Sequence, residues 1–231
     1  MPNAETSALE RLTAAVSDLD RDLFTRYKGG WINQIGIALW DAVYSIGSQY
    51  SGVAPRLDEM RGWLAKEGLS EDSLHVVANL PEDAVVKIMG ATRVAPGRAR
   101  SVTKAAAARQ AAIAIAGLEI DSACDLRDHV SAHRDGPVEG AKEILKTYSS
   151  VYGLGKVTGE YFLMLLGIPG VKTDRMVTRF VAKAVGKPVG PEEARSLVVA
   201  AHEALSPSTL SGVSLTQLDH AIWLHTRGDS E

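Results

Sequence analysis

At 231 residues the chain can bury a substantial core, as one large domain or as two small helical lobes. Its one cysteine, Cys124, excludes an internal disulfide and any cysteine-ligated cluster, and no apolar run approaches the roughly 18 residues of a membrane span. A net charge of −3 argues against a protein that coats nucleic acid through many phosphate contacts. The opening MPNAETSALERL lacks the basic start and apolar core of a secretory leader, so a cytoplasmic protein with no membrane partner is expected.

In chain order, residues 7–27 carry Leu9, Leu12, Val16, Leu19 and Phe24 at helical spacing, and Gly29-Gly30 stops the run. Residues 31–46 repeat Ile32, Ile35, Leu39, Val43 and Ile46 and predict a largely buried helix. Residues 47–52 form a polar break, followed by a short helix over 55–66 that Gly68 ends. Two further helices are expected over 70–79 and 81–89, the second with Pro81 in its first turn. Ala95-Pro96-Gly97 is a turn, and 98–117 reads as a long alanine-rich helix. A short helix over 121–133 opens at Asp121 or Ser122. Asp135-Gly136-Pro137 breaks the chain, and helices resume at 191–204 and 214–224, the last with Ser214 and Gln217 in a capping-box spacing. The tail from Thr226 is expected to fray. No strand and no internal repeat is apparent, so the fold class is all-α.

The segment 138–180 organises the rest. Two helical runs flank Tyr152-Gly153-Leu154-Gly155-Lys156, and the loop Pro169-Gly170-Val171-Lys172-Thr173 then delivers Asp174 to the start of another helix. Glycines at 153 and 155 allow positive φ and let another backbone approach closely. The amides of Gly155, Lys156 and Val157 would open a helix, and such an N-terminus suits a phosphate. A plain helix–turn–helix corner would look the same. No serine or threonine follows Lys156, which excludes a nucleotide-binding P-loop. Over 151–190 six lysines and arginines face two carboxylates, Glu160 and Asp174. A second basic stretch, Arg93, Arg98, Arg100, Lys104 and Arg109, has no acid within it. Both stretches also read as solvated helix faces.

Taken together, the run YGLGKVTG and the later DRMVTR resemble the helix–hairpin–helix DNA glycosylase superfamily, the endonuclease III-like repair enzymes. That family's hairpin has the pattern L-P-G-hydrophobic-G-x-K-T-A, followed by D-x-x-V-x-R. Gly153, Gly155, Thr158, Asp174, Val177 and Arg179 fall into those places. The early helix around Trp40 and Asp41, the helix at 98–107 and the closing Leu218-Asp219-His220-Ala221-Ile222-Trp223 are similar more loosely.

The resemblance implies a two-lobed fold, with 31–165 as the central lobe and 1–30 plus 166–231 as the second. It implies a monomeric enzyme that excises a damaged or modified base from double-stranded DNA, associating with the nucleoid when bound. Asp174 would be the catalytic carboxylate, stabilising positive charge on the sugar and orienting the attacking water. The alternative at that position is a helix N-cap. Gly153, Gly155, Lys156 and Thr158 would hold the strand backbone, with Lys172 and Arg175 adding charge and Gln49 or Tyr50 filling the gap left by the base. Arg179 would add charge or serve as a structural partner in the helical layer. For the base pocket the candidates are Trp31, Trp40, Tyr44, Tyr148 and Tyr152, with Tyr44 and Tyr152 favoured because they abut predicted loops.

Three departures qualify the resemblance. Val157 stands where strand-cutting members carry a lysine, which implies a monofunctional glycosylase, although a one-residue shift of register would bring in Lys156. The iron–sulfur cluster of many members is ruled out by the cysteine count. The histidines show no metal-ligand spacing, so no metal is expected beyond a monovalent cation at the hairpin, which the resemblance permits.

Overall fold

A computed structural model describes residues 7–27 and 29–228. Among them the chain forms thirteen helices and no strand: α1 Ala8–Ser17, α2 Arg21–Thr25, α3 Ile35–Tyr44, α4 Tyr50–Glu67, α5 Leu74–Asn79, α6 Glu82–Met89, α7 Lys104–Ala116, α8 Ala123–Ala132, α9 Pro137–Ser149, α10 Lys156–Leu165, α11 Arg175–Val185, α12 Pro191–Leu205 and α13 Leu215–Gly228. One isolated bridge, Arg93 to Thr103, closes the loop before α7. The protein is all-α.

The chain divides into two compact units. One is Gly29–Ile168, and the other joins Met1–Lys28 to Pro169–Glu231. The division expected from the sequence lies at 31 and 165.

In the Gly29–Ile168 unit α3 is the central helix, with all ten of its residues buried. It begins at Ile35, later than its apolar run, because Asp72 Oδ1 accepts the Ile35 amide at 2.9 Å. The same oxygen accepts the Ala123 amide at 2.9 Å, so one carboxylate caps α3 and α8 together. Ser122 caps α8 in a reciprocal box with Asp125, whereas Asp121 accepts the His75 amide of α5 at 2.7 Å. α7 starts at Lys104 under a Thr103 cap, six residues later than its sequence suggests, because 95–103 is a loop.

Three other expectations are corrected. The helix over 7–27 is broken at Asp18, where α1 ends; Asp20 then caps α2 by accepting the Asp22 amide at 3.0 Å. α4 begins at Tyr50, five residues ahead of Pro55, which the helix carries within it. The tail does not fray at Thr226. That residue is buried within α13 and its hydroxyl donates to Ile222 O at 2.8 Å.

The second unit is built on α1, α11, α12 and α13. α11 buries Val177, Phe180, Val181 and Val185, one stripe at three- and four-residue spacing, against Leu12, Val16, Ala194, Val198, Leu218 and Ile222. Ser214 and Gln217 exchange bonds of 3.2 and 2.8 Å and form the expected box at the head of α13.

Candidate active site and nucleic-acid interface

In the Gly29–Ile168 unit, α9 and α10 form a helical hairpin. Gly159 lets them approach closely: a Cβ there would lie 2.9 Å from Leu145 Cδ2 and 3.0 Å from the Tyr148 ring. Between them Gly153 has φ of +84° and sits against Val94, so both the conformation and the space require glycine. Gly155 differs from expectation. Its φ is −121°, and a Cβ there would meet nothing within 4 Å. It is the exposed N-cap of α10, so neither conformation nor packing asks for glycine there.

Thr158 folds back over that N-terminus, donating to Gly155 O at 2.9 Å and accepting from Gly155 N at 3.4 Å. Lys156 is exposed, with Nζ 3.9 Å from the buried Glu160 Oε1, a long ion pair one turn on. Val157 follows, half-buried.

The aromatic candidates separate. Tyr152 is exposed beside the hairpin. Trp31 is half-buried, donating from Nε1 to Asp41 Oδ2 at 2.8 Å, with the Arg61 guanidinium 5.4 Å from its ring. Tyr44 is the last residue of α3, directly before the turn at 45–47, and its side chain is packed in the core. It is 3% exposed, its hydroxyl donates to Gly90 O, and Lys104 Nζ lies 5.8 Å from its ring. Burial raises its hydroxyl well above the ordinary phenol value. The cause lies in α3, which is covered on every side. Trp40 and Tyr148 are likewise buried, and the Tyr148 hydroxyl has no hydrogen-bond partner among the described residues. Gln49 is exposed at the head of α4, with no capping bond from its side chain.

Asp41, which reads only as part of a buried helix, gathers four donors: Trp31, Ser45 at 3.0 Å, Tyr50 at 3.3 Å and Tyr161 at 3.3 Å. Its signal in the sequence is an acid on an otherwise apolar helix. The second basic stretch is only partly a surface. Lys104 is buried, its ammonium donating to Tyr44 O, Ile46 O and Ser48 Oγ at 2.9, 2.6 and 2.9 Å. Burial among these neutral partners lowers its pKa.

In the other unit, Asp174 is the N-cap of α11. Its Oδ1 accepts the amides of Met176 and Val177 at 2.8 and 3.2 Å, while Oδ2 has no hydrogen bond among the described residues. The alternative expected at this position, a helix N-cap, is therefore present. Asp174 lines an open cleft of about 430 Å³ with Arg175, Thr178, Arg179 and a wall of Pro188, Val189 and Pro191. Arg179 also donates to Thr226 O at 3.3 Å, tying α11 to α13.

Lys172 contributes its backbone: its amide donates to Asp219 Oδ1 at 2.9 Å. Asp219 lies on α13 and is 6% exposed. Burial, then the neighbouring Asp174 charge, pushes its pKa up to about 8. Its sequence signal was its register with Ile222 and Thr226, which places an acid on the inward stripe of α13.

Among the described residues no group of three or more His, Cys, Asp or Glu could hold a metal ion, and no helix is long and apolar enough to cross a membrane. No curated protein and no solved structure matches the chain. The family described as "Domain of unknown function (DUF8548)" matches residues 10–227, and the chain belongs to that family.

Proposed function

We propose that this protein is a DNA N-glycosylase of base-excision repair, which draws a damaged or modified base out of duplex DNA and hydrolyses its N-glycosidic bond. The observation that carries the reading is Asp174: a carboxylate at a helix start, with one oxygen lacking hydrogen bonds among the described residues, on a cleft lined by Arg175 and Arg179. Departure of a base leaves positive charge on the sugar, and a fixed carboxylate stabilises it. The same group orients a water, whose oxygen bonds to the sugar carbon as the base leaves with the bonding electrons, and it accepts the water's proton.

The hairpin supplies the grip in this reading. At Gly155 the α10 N-terminus is exposed and a Cβ would meet nothing within 4 Å, which leaves room for a phosphate beside the first-turn amides, with Thr158 Oγ1 accepting the Gly155 amide. Lys156 adds charge beside them. Val157 has no nucleophile, so the reaction stops at an abasic site. No iron–sulfur cluster takes part, and the partner is double-stranded DNA bound by a monomer.

The test is single-turnover incubation with duplexes carrying uracil, alkylated purines, oxidised purines or mismatches, followed by alkali. Asp174→Asn keeps the helix cap, and excision is expected to fall at least about a hundredfold. Unchanged activity in that variant removes Asp174 from the chemistry, and breaks without alkali overturn the monofunctional assignment. If the wild-type chain turns over none of the panel yet binds DNA with strong salt dependence, it is a DNA-binding module instead. Absence of both leaves a protein-interaction scaffold.

A further inference from the structure

We infer that Asp219 is a positioning residue for Asp174: it clamps, from the core side, the loop that presents the catalytic carboxylate and withholds a second negative charge from the site. The activity part of this inference rests on the glycosylase reading, and the clamp does not.

Three consecutive loop residues are each held by a different helix. The Lys172 amide donates to Asp219 Oδ1 of α13 at 2.9 Å. Thr173 is 3% exposed, and its hydroxyl accepts from Arg195 Nη2 of α12 at 3.1 Å. Asp174 is fixed by the first-turn amides of α11. Lys172 and Asp174 also bond to each other, the Asp174 amide donating to Lys172 O at 2.6 Å. The loop therefore has no slack between the α13 clamp and the carboxylate.

An amide side chain would make the same bond to Lys172, so the clamp alone does not call for an acid. Burial and the facing Asp174 charge, however, raise the Asp219 pKa and so favour its neutral form; Lys172 and Arg195, the cations that face it, only partly oppose this. The neutral form holds the loop and leaves Asp174 as the charged member of the pair. Ionisation at alkaline pH sets two carboxylates against each other, with phosphates of the strand to be bound nearby in this reading.

Three variants of the full chain decide the matter. Asp219→Asn keeps the acceptor and cannot ionise. In Asp219→Ala, backbone amide exchange across 170–175, followed by NMR, is expected to speed up at least about tenfold, while Asp219→Asn leaves it near wild type. Excision by Asp219→Ala should fall at least about tenfold with DNA affinity nearly unchanged. Asp219→Asn should match wild type at pH 7 and lack the decline in rate that is expected of wild type above pH 8. In Asp174→Asn, a carboxyl-carbon NMR titration should find Asp219 ionising at lower pH.

Unaltered exchange in a folded Asp219→Ala overturns the clamp. An Asp219→Asn variant as slow as Asp219→Ala at every pH shows that the carboxyl group itself reacts, which overturns the positioning role. The same alkaline decline in wild type and Asp219→Asn overturns the charge argument. If Asp219→Ala fails to fold, Asp219→Asn and the titration still decide. If wild type excises nothing, the glycosylase reading falls, and exchange and titration alone judge the clamp.

Discussion

At Asp219 the cost of burying a carboxyl group sets a pH dependence for the fold. Its folded value near 8 lies above the ordinary 3.8. Between the two, folding takes up a proton, so stability declines as pH rises through that window, by up to ~1.4 kcal/mol per pH unit from this one group. Denaturant unfolding at pH 5 and pH 8 should show wild type losing stability relative to Asp219→Asn as pH rises. Parallel pH profiles would contradict the buried, proton-bearing state. The two acids also differ in how they can be read. Asp174 follows a loop and opens an apolar stripe, so its position as a cap is local information. Asp219 sits in an ordinary helical run, and its burial depends on α11 and α12 closing over one face of α13, which spacing suggests but does not decide. Asp41 is the same case: the donors it gathers come from as far as Tyr161.

At the scale of elements, the hairpin was legible because glycines and a proline punctuate it; α9 and α10 occupy the expected stretches. What the hairpin does with each glycine was not. Gly153→Ala forces a methyl group to 2.6 Å from Val94 Cγ2 at φ of +84°. It should cost about 2 kcal/mol in denaturant unfolding. Gly155→Ala meets open space at an ordinary φ and should cost less than about 1 kcal/mol. If a strand backbone lies against Gly155, this second variant weakens DNA affinity out of proportion to its small effect on stability. Equal stability losses in the two variants would refute the distinction. Boundaries that depend on distant caps were harder to see. The start of α3 is set by Asp72, 37 residues on, and the break between α1 and α2 by whether Asp20 caps a new helix or extends the old one.

For the whole molecule, a net charge of −3 conceals how the cations are used. The two basic stretches look alike in sequence. In 93–109, however, Lys104 is buried, while Arg93, which donates to Ser101, and Arg109, which donates to Ala78 O, are exposed like Arg98 and Arg100. In 172–179, Arg175 and Arg179 line the cleft with Asp174. Charge counting cannot separate these cases, because a lysine stem buries as readily as an apolar side chain when its ammonium meets carbonyls. The helical class and the order of most elements, by contrast, follow from apolar spacing and capping residues alone.

The burial of Lys104 makes it a reporter built into the chain. Its amine is walled off by the end of α3 and by 46–48, so an acylating reagent reaches it only when the Gly29–Ile168 unit opens. Mass-spectrometric labelling at graded denaturant should modify the exposed Lys156 and Lys187 from the start and Lys104 only in step with loss of the helical signal. Early modification of Lys104 would show that the loop between α3 and α4 opens by itself, ahead of the core.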